Sequence, residues 1–181
     1  MRITGGEKKG IPIKVPKKGT RPPTGMIRSA VFNILGEKVS NSNILDLFAG
    51  SGSFSIEALS RGAKSTVMVE SLREAIDCIK ENLIRTGFSE KSEVLMMNFF
   101  KALKILKKRD EAYDIAFVDP PFEFPLRKLT IGFPVISDLM KEDGILVLRL
   151  KKGIKFGEIP RFEILSKKTY GDSEIYFLRK R

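Results

Sequence analysis

The chain of 181 residues contains no histidine and no tryptophan, and its one cysteine is Cys78. Each absence removes chemistry. Without imidazole there is no Ser-His-Asp or Cys-His couple, no histidine acid or base, and no zinc site built from histidine and clustered cysteine. One thiol excludes an internal disulfide, which agrees with a reducing cytoplasm. No apolar run approaches the ~20 residues that span a bilayer, and the opening Met1-Arg2-Ile3-Thr4-Gly5-Gly6-Glu7-Lys8 lacks the apolar stretch of a signal peptide. The expectation is a cytoplasmic protein without metal or membrane contact.

What is present is ordinary in amount and uneven in place. Apolar residues make up 42% and charged residues 30%, as in globular proteins, and the length predicts one domain over residues 1–181. The net charge of +11 is concentrated at the ends: residues 1–43 carry +7, residues 44–150 carry −1 and residues 151–181 carry +5. Basic flanks on a neutral middle suit a polyanion, since lysine and arginine displace phosphate counterions, and nucleic acid is the leading partner.

Residues 1–16 place Ile3, Ile11, Ile13 and Val15 around Gly5-Gly6 and Gly10 and predict a small hairpin or extended arm. The basic segment Lys17-Lys18-Gly19-Thr20-Arg21-Pro22-Pro23 follows as a loop, because paired prolines forbid helix. Together residues 1–23 form a basic N-terminal hairpin or arm ahead of a core over 24–181. Thr24 is placed to cap a helix whose positions Ile27, Val31, Ile34 and Leu35 form one apolar stripe. From Asn43 onward short apolar runs (44–48, 66–70, 94–97, 115–118 and 145–148) alternate with helical stretches (54–59, 73–86, near 99–108 and near 127–141). That rhythm predicts a doubly wound, mostly parallel α/β sheet. Residues 161–168 and 173–180 face each other across Tyr170-Gly171-Asp172, so the sheet is expected to end in an antiparallel hairpin.

In such sheets ligands bind outside the carboxyl ends of the strands, where strand order reverses. Three features fall there. Asp46-Leu47-Phe48-Ala49-Gly50-Ser51-Gly52-Ser53 leaves the first strand and opens a helix, with glycines for a tight turn and free N–H groups for a ligand. Glu70 closes the next strand, where an acid can accept both ribose hydroxyls of an adenosine. These two features leave NAD and S-adenosylmethionine open. Asp119-Pro120-Pro121-Phe122 separates them: two prolines provide carbonyls without N–H donors, Asp119 adds a carboxylate, and Phe122 adds a flat face. This set suits a stacked planar base bearing an exocyclic amino group. Hydride transfer has no use for it, and a dinucleotide-binding loop would expect a third glycine where Ser55 stands.

Asp119-Pro-Pro-Phe resembles the amino-methyltransferase signature of S-adenosylmethionine enzymes, and the segment Phe48-Ala-Gly-Ser-Gly-Ser-Phe-Ser-Ile-Glu-Ala-Leu-Ser-Arg-Gly-Ala63 resembles the cofactor segment of the RsmD family. Those proteins are bacterial methyltransferases of guanine N2 in 16S ribosomal RNA. Ile3-Thr4-Gly5-Gly6, Arg21-Pro22-Pro23-Thr24 with Arg28, Phe32-Asn33-Ile34-Leu35 and Tyr170-Gly171-Asp172 are similar to further parts of that family. Its Arg-Pro-Thr-Thr-Asp-Arg-Val-Arg-Glu pattern is altered at Pro23, Gly25, Met26 and Ser29, which costs three polar side chains.

The resemblance implies a Rossmann-like class I methyltransferase fold, S-adenosylmethionine as cofactor, and ribosomal RNA or the small ribosomal subunit as partner of a monomer. It implies catalytic roles for Asp119, Pro120 and Phe122. Cofactor contacts are expected from Asp46, Phe48, Ala49, Gly50, Ser51, Gly52, Glu70 and Asn98, with Thr24 and Arg28 as further candidates. The basic residues Lys8, Lys9, Lys14, Lys17, Lys18 and Arg21 are expected to grip RNA phosphates. Two alternatives remain: an adenine-N6 methyltransferase of DNA or RNA, since the tetrapeptide serves any amino group, and a noncatalytic RNA-binding module.

Overall fold

The structure, a computed structural model, describes residues 1–16, 23–154, 157 and 159–181. Thr24 starts the first helix: its side chain accepts a hydrogen bond from the Ile27 N–H at 3.3 Å and satisfies one free donor of α1 (Gly25–Leu35). Ile27, Val31 and Leu35 are buried, but Ile34 is 42% exposed. The apolar stripe did not anticipate that Arg28 and Phe32 also turn inward. They draw the centre of the buried face around the helix and leave Ile34 at its edge.

The alternation of short apolar and amphipathic runs becomes β1 (Asn43–Asp46), α2 (Ser53–Ser60), β2 (Ser65–Glu70), α3 (Arg73–Thr86), β3 (Ser92–Met96), α4 (Phe99–Leu106), β4 (Tyr113–Val118), α5 (Leu126–Asp138) and β5 (Met140–Lys151). The hairpin β6 (Phe162–Tyr170) and β7 (Ser173–Lys180) follows. β5 begins earlier than its apolar run 145–148, because Met140 pairs with Tyr113 ahead of a register shift that absorbs the polar stretch between them.

The seven strands are ordered β3-β2-β1-β4-β5-β7-β6. β1 to β5 are parallel, and β7 runs antiparallel to both β5 and β6. The chain winds outward from β1 through β2 and β3, then returns to the other side of β1 for β4. The loops after β1 and β4 therefore diverge and leave a crevice between them. One face of the sheet buries a cluster shared with α1, α2 and α3, and the other buries a cluster shared with α4 and α5.

Residues 1–16 form a small hairpin in which Arg2 bridges Pro12 and the Ile3 N–H donates to the Ile11 carbonyl at 3.0 Å. It is docked, not extended: Ile3 and Ile13 are each 2% exposed and belong to the core. The Thr4 N–H and hydroxyl donate to Glu57 at 2.9 and 2.7 Å, and the Glu7 N–H donates to the Ser60 carbonyl at 2.8 Å. Gly6, at φ +77°, permits this approach, since a Cβ there would lie 1.8 Å from the Ser60 carbonyl oxygen.

Candidate active site

The crevice between β1 and β4 is a cleft of about 700 Å³. Its floor is the loop between β1 and α2. Gly50 and Gly52 both adopt positive φ, +56° and +75°, but for different reasons. A Cβ on Gly52 would meet the Met68 sulfur at 3.2 Å, so this glycine packs against β2; a Cβ on Gly50 would meet nothing within 4 Å and would project into open space. Gly50 thus presents bare backbone where a ligand can approach, together with Phe48, Ala49 and Ser51 on the same wall.

Glu70 stands across this loop at the end of β2. One carboxylate oxygen accepts the Gly50 N–H at 2.9 Å, and the other accepts the N–H groups of Ser71 and Leu72 at 2.7 and 2.9 Å. Three backbone donors fix the carboxylate and leave acceptor capacity toward the cleft. Asn98 caps α4 by accepting the Lys101 N–H at 3.0 Å and also borders the cleft. Phe48, Phe99 and Phe124 pack as an aromatic wall: Phe48 stacks on Phe99 at 5.2 Å between centroids, and Phe124 meets both edge-on.

On the opposite side, Asp119, Pro120 and Phe122 leave β4 and line the cleft together. Both Asp119 oxygens accept from one guanidinium nitrogen of Arg149, at 2.9 and 2.8 Å. Their side chains are 12% and 7% exposed. Burial pushes the Asp119 carboxyl up to about 6, and the charge and hydrogen bonds of Arg149 oppose that rise. Arg149 donates its Nε–H to the Ser173 hydroxyl at 3.2 Å and lies 5.3 Å from the centre of the Phe122 ring. The pair thus holds a carboxylate and an aromatic face in one orientation, a donor set able to receive an amino-bearing base.

Arg149 is a residue of this cleft that sequence reasoning missed. One signal was available: it is a lone charge in the apolar run Ile145-Leu-Val-Leu-Arg-Leu150, and such a charge requires a buried partner. Phe124 had no comparable signal beyond its closeness to Phe122.

Several expected site residues lie elsewhere. Asp46, 1% exposed, sits behind the wall of the cleft, where one oxygen accepts the Ser55 hydroxyl at 3.0 Å. Burial pushes its carboxyl up to about 7, and the charges of Asp119 and Glu70 add to the rise. Gly52 likewise lies behind the wall, packed on Met68. Thr24 is spent on its helix cap. Arg28 is fully buried, donating to the Pro23 and Arg2 carbonyls at 2.9 and 2.5 Å and lying 3.7 Å from Glu57. A guanidinium on the inner face of α1 finds these partners before it reaches the cleft, which Val15, Pro16 and Pro23 border instead.

The basic residues separate as well. Lys8 and Lys9 lie in the turn of the N-terminal hairpin, where the Lys8 N–H donates to the Ser60 hydroxyl at 3.0 Å. Ser60 ends α2, which leaves the glycine loop and runs away from the cleft for about 12 Å. Lys14 is ion-paired with Glu81 at 2.7 Å. Lys17, Lys18 and Arg21 lie outside the described residues.

Comparison with known proteins agrees with this geometry. The family described as Conserved hypothetical protein 95 matches residues 1–179. Ribosomal RNA small subunit methyltransferase D of Buchnera aphidicola subsp. Baizongia pistaciae (strain Bp) is 36% identical over 151 residues, 82% of this chain and 74% of that protein. The protein of the same name from Escherichia coli (strain K12) is 33% identical over 147 residues, 81% of this chain and 69% of that protein. A solved structure, a hypothetical protein of Thermus thermophilus, matches with a TM-score of 0.85 and 31% identity, covering 98% of each chain.

Proposed function

The chain belongs to the Conserved hypothetical protein 95 family, and from that premise we propose that it transfers a methyl group from S-adenosylmethionine to the exocyclic N2 of a guanine in 16S ribosomal RNA. Its likeness to the two small-subunit ribosomal RNA methyltransferases supports the substrate class. The observation that carries the chemistry is the joint placement of Asp119, Pro120 and Phe122 opposite the Gly50 loop and Glu70 in one cleft. We place the protein in the cytoplasm, acting as a monomer without a metal.

The residues present fit the cofactor. Glu70 is held ready to accept ribose hydroxyls, the open space at Gly50 admits a ligand against bare backbone, and Asn98 stands beside Phe99 where a base edge can be read. When bound there, S-adenosylmethionine supplies a methyl group on a sulfonium sulfur.

The protein's own part is to make a poor nucleophile attack. The lone pair of an aromatic amine is delocalised into its ring. Asp119, ionised above a pKa of about 6, accepts a hydrogen bond from the amino group, stabilises the positive charge that grows on it and takes its proton. With the cofactor in place its methyl group would pass from sulfur to this nitrogen, whose lost proton Asp119 would hold. Pro120 offers a carbonyl without a competing N–H, and Phe122, steadied by Arg149, stacks on the base. By fixing the base between Phe122 and Asp119 the cleft would orient the amino nitrogen toward the methyl donor, which supplies much of the remaining rate. A guanine in a loop or single strand reaches this cleft most easily, because leaving a duplex costs unstacking energy.

The test is tritiated methyl transfer to small ribosomal subunits from cells lacking the protein, followed by nucleoside analysis. N2-methylguanosine is the expected product. Label confined to N6-methyladenine replaces the guanine reading, and calorimetry that shows no S-adenosylmethionine binding at millimolar concentration overturns the enzyme reading.

A further inference from the structure

The strand register carries the cleft chemistry outward to the β5–β7–β6 end of the sheet, where Arg149, Ser173 and Ile175 are buried and Lys151, Lys168 and Tyr170 reach the surface. Val118 pairs with Leu148, so Asp119 and Arg149 follow one step beyond that pair. Arg149 pairs with Ile175 on β7, and Ile175 pairs with Lys168 on β6. One cross-strand row therefore runs Arg149, Ile175, Lys168. The next row toward the strand ends is Lys151, Ser173, Tyr170, and the row before is Val147, Phe177, Ser166.

These nine residues share a sheet face, because side chains alternate along a strand and align across it. Val147, Ile175 and Phe177 belong to the cluster under α1, and Tyr170 packs against the same cluster. None of the nine carries a carboxylate. Lys151 and Lys168 are exposed and Tyr170 is half-buried; neither lysine forms an ion pair among the described residues. The other face differs: Lys167 is paired with Glu174 at 2.8 Å and lies over the Tyr176 ring. On the cleft's side Arg149 is held by Asp119 and Arg179, farther along β7, by Glu163, which leaves Lys151 and Lys168 as the cations of this strip without an ion pair among the described residues; behind the sheet Lys167 and Lys180 are both paired. Lys168 lies about two strand spacings, roughly 10 Å, from Arg149.

We propose that this strip, Lys151, Tyr170 and Lys168, is the track along which the RNA strand flanking the target nucleotide lies. The inference rests on the RNA methyltransferase reading and moves the RNA grip from the N-terminal lysines to the β5–β7–β6 face. Two unpaired cations flanking an aromatic ring are the combination that holds single-stranded nucleic acid: the ring stacks on a base and the cations neutralise phosphates. Arg149 is already committed to Asp119, so the positive strip begins where the catalytic group ends and leads a strand out of the cleft.

The experiment measures binding of 16S ribosomal RNA and methyl transfer across 50–200 mM salt. For the double variant Lys151→Ala/Lys168→Ala the slope of log affinity against log salt becomes shallower by about 1.4, the loss of two single-strand phosphate contacts. Tyr170→Leu weakens binding roughly tenfold and Tyr170→Phe retains it. S-adenosylmethionine affinity is unchanged in all three variants. Lys38→Ala/Lys64→Ala, which removes the same charge from exposed positions near the amino ends of the strands, serves as the control and keeps the wild-type slope. An unchanged slope in the Lys151/Lys168 variant, or an equal loss in the control, overturns the track. A wild-type protein that methylates no RNA overturns the reaction reading instead, so the two failures are distinguishable.

Discussion

Two buried arginine–carboxylate groups sit among the described residues, and they are spent differently. Under the N-terminal hairpin, Glu57 has 0% side-chain exposure and gives every interaction to the fold: it accepts from the Thr4 N–H and hydroxyl and from Arg61 at 3.0 Å, with Arg28 beside it. In the cleft, Asp119 accepts from a single nitrogen of Arg149 and keeps its remaining lone pairs on the cleft wall. Saturated partners make a clamp. A carboxylate held by one neighbour, with burial raising its pKa to about 6, is the one we propose as the reactive group. The contrast teaches that the number of unspent acceptor positions, more than burial itself, separates a structural ion pair from a chemical one.

The comparison can be broken at its structural end first. Glu57→Ala leaves Arg28 buried without a countercharge and the hairpin without its main anchor, so urea unfolding should show a loss of about 3–5 kcal/mol. A loss under about 1 kcal/mol would place the clamp elsewhere.

At the chemical end, Asp119→Ala should lower kcat by roughly 10²–10³ while S-adenosylmethionine still binds, read by single-turnover methyl transfer beside calorimetry. Binding of RNA without any change in rate would instead return the noncatalytic module to consideration.

A smaller effect sharpens the link between the two members of the cleft pair. Arg149 opposes the upward push of burial on Asp119, so Arg149→Met removes the opposing influence and raises the Asp119 pKa further. On the proposed role of the ionised carboxylate, the rate should fall as pH drops through about 6 in the native protein, and the variant's acidic limb should move to higher pH. At neutral pH this costs on the order of tenfold in kcat. A pH–rate profile with an unmoved limb would separate Arg149 from Asp119 chemistry.

Much of this molecule could be read along the chain because its signals are local. The apolar runs 44–48 and 115–118, the glycines after β1 and the proline pair after β4 each fix the backbone within a few residues. Their placement at the carboxyl ends of adjacent parallel strands follows from the right-handed crossover rule. Reading failed where the partner was remote. Arg28 was expected near the ligand and instead meets carbonyls at positions 2 and 23, and Lys14 meets Glu81, 67 residues away. Lys8 and Lys9 share a charge with the cleft rim but not a location, because the hairpin docks along α2 toward its far end.

The sequence by itself determined the alternation of strands and helices, the two loops that carry glycine and proline, and the kind of chemistry those loops can hold, since periodicity and backbone preference act over a handful of bonds. Only the tertiary structure decided that Arg149 belongs to Asp119, that Asp46 stands behind the wall, and that Lys14 and Lys167 are paired while Lys151 and Lys168 find no ion pair among the described residues. Ion pairing depends on distances of a few ångströms between residues far apart in the chain, and those distances are set by strand register and helix docking.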